Sequence, residues 1–329
     1  MAIKLALVGL GQIGASIGLA LEKQKENLQR VGHDKSPFVS REAKKRGAVD
    51  QTKINLPATV RGAKIVVLSL PFSEMRSTME VIAPDLEEDV VVMDTTPVKR
   101  QVVEWVKEFF PPKAHYVGLV PAINPKYMNR VDQGVEAALP DLFHDSIIML
   151  DALPGTPGEA VQLAADFIRL LGATPLFVDL VEADGLMASA HLAPQLVAAA
   201  TLNAMIDKPG WKDVRKLAGH PFAMLASAMV YQDDLKALEE ATLSNRENVT
   251  RVLDGVIASL SELREDIAGE RQDALSKWLK QADDGHETWL VGRLSADWDE
   301  GGQKEPSIEF QTFWERYLGT GRRSKKDKN

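Results

Sequence analysis

Along the first 180 residues, apolar positions come in short, nearly unbroken runs separated by segments whose apolar residues recur every three or four positions. The runs Ile3–Val8, Arg30–Asp34, Lys64–Leu70, Val90–Asp94 and Tyr116–Leu119 read as strands, with Pro71 and Pro121 close behind two of them. Between them the helical spacing predicts helices up to about Lys25 and over Pro37–Arg46, Ser73–Ile82 and Val98–Phe110. After a longer loop, Ile147–Asp151 and Pro175–Asp179 read as strands flanking a helix over Gly158–Leu171. Strands apolar on both faces and joined through helices specify an α/β fold with a doubly wound, mainly parallel sheet. From Leu180 the strand signals stop. Leu180–Met205, Phe222–Val230, Leu235–Glu265 and Arg271–Gln281 all read as helices, and in the third Val249, Val252, Leu253, Val256, Leu260 and Leu263 share one face. Residues 1–180 therefore form one domain and residues 181–285 a second, all-α one. Residues 286–329 are a C-terminal extension carrying Trp289, Trp298 and Trp314, with an end from Gly319 that reads as disordered.

Composition narrows the class. A chain of 329 residues is too long for one small core, and its net charge of −8 disfavours a nucleic-acid partner. The basic block Arg322, Arg323, Lys325, Lys326 and Lys328 reads as a solvated tail. There is no cysteine, which removes disulfides, thiolate nucleophiles and Cys-ligated metals and fits a reducing compartment such as the cytoplasm. The six histidines show no ligand spacing, so no metal site is expected. Ile3–Leu21 is as long as a membrane span, but Lys4, Gln12 and several glycines interrupt it; a buried strand, a glycine turn and a buried helix explain it better. No membrane association is expected.

The chemistry starts at Gly9-Leu10-Gly11-Gln12-Ile13-Gly14, a GxGxxG pattern between an apolar strand and a helix. In that setting Gly9 allows the tight turn, Gly11 lets the backbone approach a pyrophosphate and Gly14 lets helix and strand pack closely. The helix N-terminus, with Gln12 and Ile13, supplies N–H groups and positive dipole to the phosphates. Asp34 closes the second strand twenty residues after Gly14, where a carboxylate bonds the ribose 2′-OH. The domain is thus a Rossmann domain for a dinucleotide. Asp34 favours NAD, while Lys35 and Ser36 leave NADP open. Ligands in such sheets sit outside the C-terminal strand ends, which points to Ser69, Leu70 and Pro71, to Thr95, and to the segment from Val120 to Asn124.

In these residues the chain resembles the prephenate/arogenate dehydrogenase family of tyrosine biosynthesis, within the 6-phosphogluconate dehydrogenase-like superfamily. The resemblance runs to about residue 267. Besides the glycine turn through Ala15-Ser16 and His33-Asp34, it is carried by Leu68-Ser69-Leu70-Pro71, Asp94-Thr95-Thr96-Pro97-Val98-Lys99 and Gly134-Val135-Glu136-Ala137-Ala138. Asp141-Leu142-Phe143 and Asn245-Arg246-Glu247-Asn248-Val249 complete it. It implies a Rossmann domain, an all-α dimerisation domain forming a homodimer, and hydride transfer from a ring hydroxyl carbon to nicotinamide with loss of carboxylate.

The residues at the chemical positions differ from the family pattern. The family's His-Pro after the sixth strand reads Val120-Pro121, a family serine reads Pro97, and family histidines on the first helix of the α domain fall at Leu192 and Gln195. The family's arginine from the helical domain falls at Met229. Oxidising an alcohol needs an acceptor for the hydroxyl proton, typically worth about 10²–10⁴ in rate, and valine cannot supply it. The candidates left are His191 as catalytic base and Asn124 to orient a carbonyl, with Lys126, Arg130 and Gln195 to hold a small carboxylated substrate. A packed core histidine and solvated loop charges are the bland alternatives for His191, Lys126 and Arg130. Three functions stay open: an NAD(P)-dependent dehydrogenase of this family with an unchanged or altered substrate, a non-catalytic NAD(P)-binding protein, and a reductase of the wider hydroxyacid type. The last uses a lysine on a helix where Leu180–Met205 has none.

Overall fold

The computed structural model describes residues 2–130, 132–231 and 234–296. Its first domain runs β1 Ile3–Val8, α1 Gln12–Ala20, β2 Leu28–His33, α2 Pro37–Lys45, β3 Gln51–Thr52, α3 Leu56–Val60, β4 Ile65–Leu68 and α4 Phe72–Ile82. It continues with β5 Val91–Asp94, α5 Arg100–Phe109, β6 His115–Pro121, β7 Ser146–Ala152, α6 Gly158–Leu170 and β8 Ala173–Phe177. The eight strands form one sheet in the order β3-β2-β1-β4-β5-β6-β7-β8. All neighbours are parallel except β6 and β7, which pair antiparallel with Gly118 opposite Asp151 and Val120 opposite Met149.

Two-sided burial explains why the central strands are unbroken apolar runs: all four residues of β4 are buried. One face packs under α1 and α6, with Leu7, Ile17 and Phe167 fully buried; the other packs under α4 and α5. The apolar run near the N-terminus is the strand β1, a glycine turn and the buried face of α1. Two short elements, β3 and α3, carry too few residues to show a period.

The second domain comprises α7 Leu180–Met187, α8 Ala193–Met205, α9 Trp211–Leu217, α10 His220–Ser227, α11 Leu235–Ser244, α12 Arg246–Ala268 and α13 Gln272–Ser295. Its core is continuous with the α4/α5 side of the sheet: Leu192, Leu238 and Val249 cluster with Phe72, Met75 and Val98. The helix expected over Leu235–Glu265 breaks at Asn245, which is buried because its Nδ2 donates to the Asp184 carbonyl at 2.7 Å and its Oδ1 accepts from Asn248. The segment Leu180–Met205 is not one plain helix either. Pro194 has no N–H for the carbonyl four residues earlier, and a π turn over Ala188–Leu192 joins α7 to α8. α9 escaped the sequence reading because it is short and exposed, and α13 runs uninterrupted through the boundary expected at residue 285. Trp298, Trp314 and the basic end lie outside the described residues.

Candidate active site

Gly9 sits in the left-handed region (φ 86°), and a Cβ there would lie 2.0 Å from the Ser69 carbonyl oxygen. A Cβ on Gly14 would meet the Gly9 carbonyl equally closely. These two glycines let the first turn press against β4. Gly11 is different: a Cβ there would meet nothing within 4 Å, so its backbone faces open space at the N-terminus of α1. That cradle is what a pyrophosphate needs.

Asp34 follows β2 and turns its carboxylate onto the same turn, with Oδ2 accepting from Leu10 N at 2.9 Å and Oδ1 from Ser36 N at 2.8 Å. A carboxylate retains further lone pairs beyond these two bonds, so the residue fits a ribose diol. Lys35, the cation that could have held a 2′-phosphate, is paired with Glu74, and that hydrogen bond raises its pKa. With Asp34 and Glu74 both acidic, the adenosine end suits NAD.

From Gly11, Gln12 and Ile13 a cleft of about 730 Å³ runs past Ser69, Leu70, Pro71 and Thr95 to the helical domain. Thr95 Oγ1 donates to Ser69 Oγ at 3.3 Å across two strand ends. Val120 and Met149, partners on β6 and β7, make an apolar wall, and Met187, His191, Gln195 and Met224 close the far side. Arg130 and Asp132 stand at the rim as an ion pair.

His191 lies on the π turn, and burial pushes its imidazole pKa down to about 4. It is neutral at physiological pH. Gln195, one turn on, is 3% exposed; its Nε2 donates to the His191 carbonyl at 2.9 Å. Two expected residues are placed elsewhere. Asn124 does not line the cleft: its Oδ1 accepts from Lys126 N at 3.0 Å and its Nδ2 donates to the Asp141 carbonyl at 3.3 Å, so both ends shape the loop. Lys126 is off the cleft too, paired with Asp141 at 2.7 Å and lying over the Tyr127 ring. The reason is local: Asp141 gathers Lys126 and the Tyr127 hydroxyl, a partner the spacing did not reveal.

A buried polar group behind the cleft was not anticipated. Lys99, 0% exposed, donates to Asp94 Oδ1 at 2.8 Å, and Tyr116 donates to the other Asp94 oxygen. Asp184 of α7 accepts from Lys99 N at 2.7 Å and Arg100 N at 3.4 Å, tying the helical domain to the start of α5. Asp151 lies beside Lys99 in the room left by Gly118, and burial pushes its carboxyl up to about 6. One signal was legible: Asp151 is a carboxylate inside the apolar run Ile147–Ala152.

Family models for the nucleotide-binding domain and the dimerization domain of prephenate dehydrogenase match residues 17–176 and 181–281. Relatives include a cyclohexadienyl dehydrogenase of Zymomonas mobilis, 25% identical over 280 residues that cover 84% of this chain and 93% of that protein. A prephenate dehydrogenase of Bacillus subtilis is 24% identical over 293 residues, covering 84% of this chain and 74% of that one. Among solved structures, the prephenate dehydrogenase of A. aeolicus with hydroxyphenyl propionate and NAD+ superposes with a TM-score of 0.76 at 22% identity, covering 88% of this chain and 98% of that one.

Proposed function

Because the chain belongs to the prephenate dehydrogenase family, we propose that it is an NAD-dependent dehydrogenase acting on a small carboxylated hydroxy substrate of the prephenate or arogenate type. Its cofactor is NAD. The observation that carries the reading is the single cleft linking the open backbone of Gly11 to His191, Gln195 and Arg130. Bound NAD would supply the acceptor for a hydride leaving the substrate's carbinol carbon, with the departing carboxylate released as carbon dioxide. The chain's own residues do the rest. Gly11, Gln12 and Ile13 hold the phosphates, Asp34 the ribose, and Arg130 can exchange Asp132 for a substrate carboxylate. The apolar wall of Val120, Met149 and Met187 keeps water from the reacting carbon.

The hydroxyl proton passes to the His191 imidazole. At a pKa of about 4 that group is unprotonated at neutral pH but a weak proton acceptor, since a base acts best when its pKa lies near the operating pH. Turnover of prephenate or arogenate is therefore slow. We place the enzyme in the cytoplasm, with its NAD pool, as a homodimer assembled through the helical domain.

The test follows NADH formation from prephenate and arogenate. The expected result is slow turnover that His191→Ala abolishes without changing NAD affinity, and that Val120→His raises by about 10²–10⁴-fold. Tight NAD binding with no NADH formed from either substrate, in the parent or in Val120→His, favours instead a non-catalytic dinucleotide-binding protein. Val120 in the cleft wall is what speaks for that second reading.

A further inference from the structure

Gln195 carries an imbalance that the rest of the cleft does not share. Its Nε2 donates to the His191 carbonyl, and since a carbonyl only accepts, that bond fixes which end of the amide points onward. The other end, Oε1, is buried with no hydrogen-bond partner among the described residues. Buried acceptors are almost always paired, so an orphan needs a reason. The other buried orphan oxygens, on Asp151 and Thr242, belong to residues outside the cleft wall; Gln195 lines it. It also sits one turn beyond a π turn, a local widening that recurs at functional sites.

We propose that Gln195 Oε1 accepts a hydrogen bond from the hydroxyl of the bound substrate until, as the hydride leaves, its proton passes to His191, which makes Gln195 a specificity-determining residue that demands that hydroxyl. A neutral amide oxygen suits a neutral donor; beside it the His191 ring carries no charge, and a buried ammonium there would need a carboxylate in contact. The ligand so defined has a carboxylate for Arg130, an apolar body for the methionines Met187 and Met224, and a hydroxyl for Gln195. The inference rests on the reading of this cleft as the substrate site.

The test is calorimetric titration, in saturating NAD+, of hydroxyphenylpropionate and of phenylpropionate, which lacks only the hydroxyl. The expected result is at least about tenfold tighter binding of the hydroxylated compound, because a site built to bond a hydroxyl rejects the analogue without it. In Gln195→Leu that ratio falls to about one while NAD affinity is unchanged. A merely structural Gln195 leaves the ratio in the variant as it was, and that result overturns the inference. So does equal affinity of the parent protein for the two compounds, which needs no variant to fold; the substrate site then stands and only the role of Gln195 falls. Binding of neither compound overturns the site reading and this inference together.

Discussion

Asp151 is 1% exposed on β7 and neither of its oxygens is hydrogen-bonded, so its carboxyl titrates near 6 where an unfolded chain titrates near 4. Between those two values the folded protein holds more protons than the unfolded one. Stability therefore falls as pH rises from about 4 to about 6 and stays lower above it, by on the order of 3 kcal/mol. Asp151→Asn removes the charge. The expected result is a gain in denaturation midpoint at pH 8 that shrinks towards zero near pH 4; an equal change at both values would show that the charge is not the cause. This residue also marks what sequence can and cannot disclose. Gly9, Gly11, Gly14 and Asp34 were legible because their chemistry is local: the pattern lies between one strand and one helix. Lys99, Asp94, Tyr116 and Asp151 meet across three strands, and Asn124 and Lys126 are committed to Asp141 through a loop fold that no spacing encodes.

Helices and strands show themselves by period, while their breaks are set by side chains that reach other elements. Asn245 ends α11 because it bonds the Asp184 carbonyl, and α5 starts at Arg100 because the Asp184 carboxylate receives the first free N–H groups. Asp184 thus serves two helices of one domain and one of the other. Asp184→Ala leaves the Lys99 amide without its acceptor and is expected to cost about 1–3 kcal/mol, read from urea unfolding. A loss below about 0.5 kcal/mol would mean water replaces the cap. Leu180–Met205 is apolar and long enough to cross a membrane by composition, but Asp184 within it is buried and accepts from Lys99 N of the sheet domain.

At the scale of the molecule, the helical domain is unfinished as a single chain. Val249 is buried against the sheet domain and Val252 and Leu253 pack on that core, but Ile257, Leu260 and Ile267 on the same helix are more than half exposed. An apolar stripe of that length needs a cover. A second copy, through the domain that matches a dimerization domain, is expected to provide it. Light scattering at micromolar concentration is expected to give twice the chain mass, and Ile257→Asp with Leu260→Asp to halve it; a monomeric parent protein would contradict the assembly. Since β6 and β7 run antiparallel, the segment from Ala122 to Asp145 leaves and returns at the same edge, the one that faces the cleft. Its two ends are held side by side by the strand ladder, and its second half is fixed to the cofactor domain, with Val135, Ala138, Leu142 and Phe143 in the core and Leu139 N donating to Ser16 Oγ of α1, so only the part before Gly134 can change length without disturbing that packing. Lengthening a loop already closed in this way costs little, about 0.6 kcal/mol per doubling. Tyr127, Arg130 and Gln133 all ride on it. A lineage could therefore exchange the stretch between Asn124 and Gly134 as a cassette and acquire a new substrate preference while the cofactor half of the molecule stayed as it was.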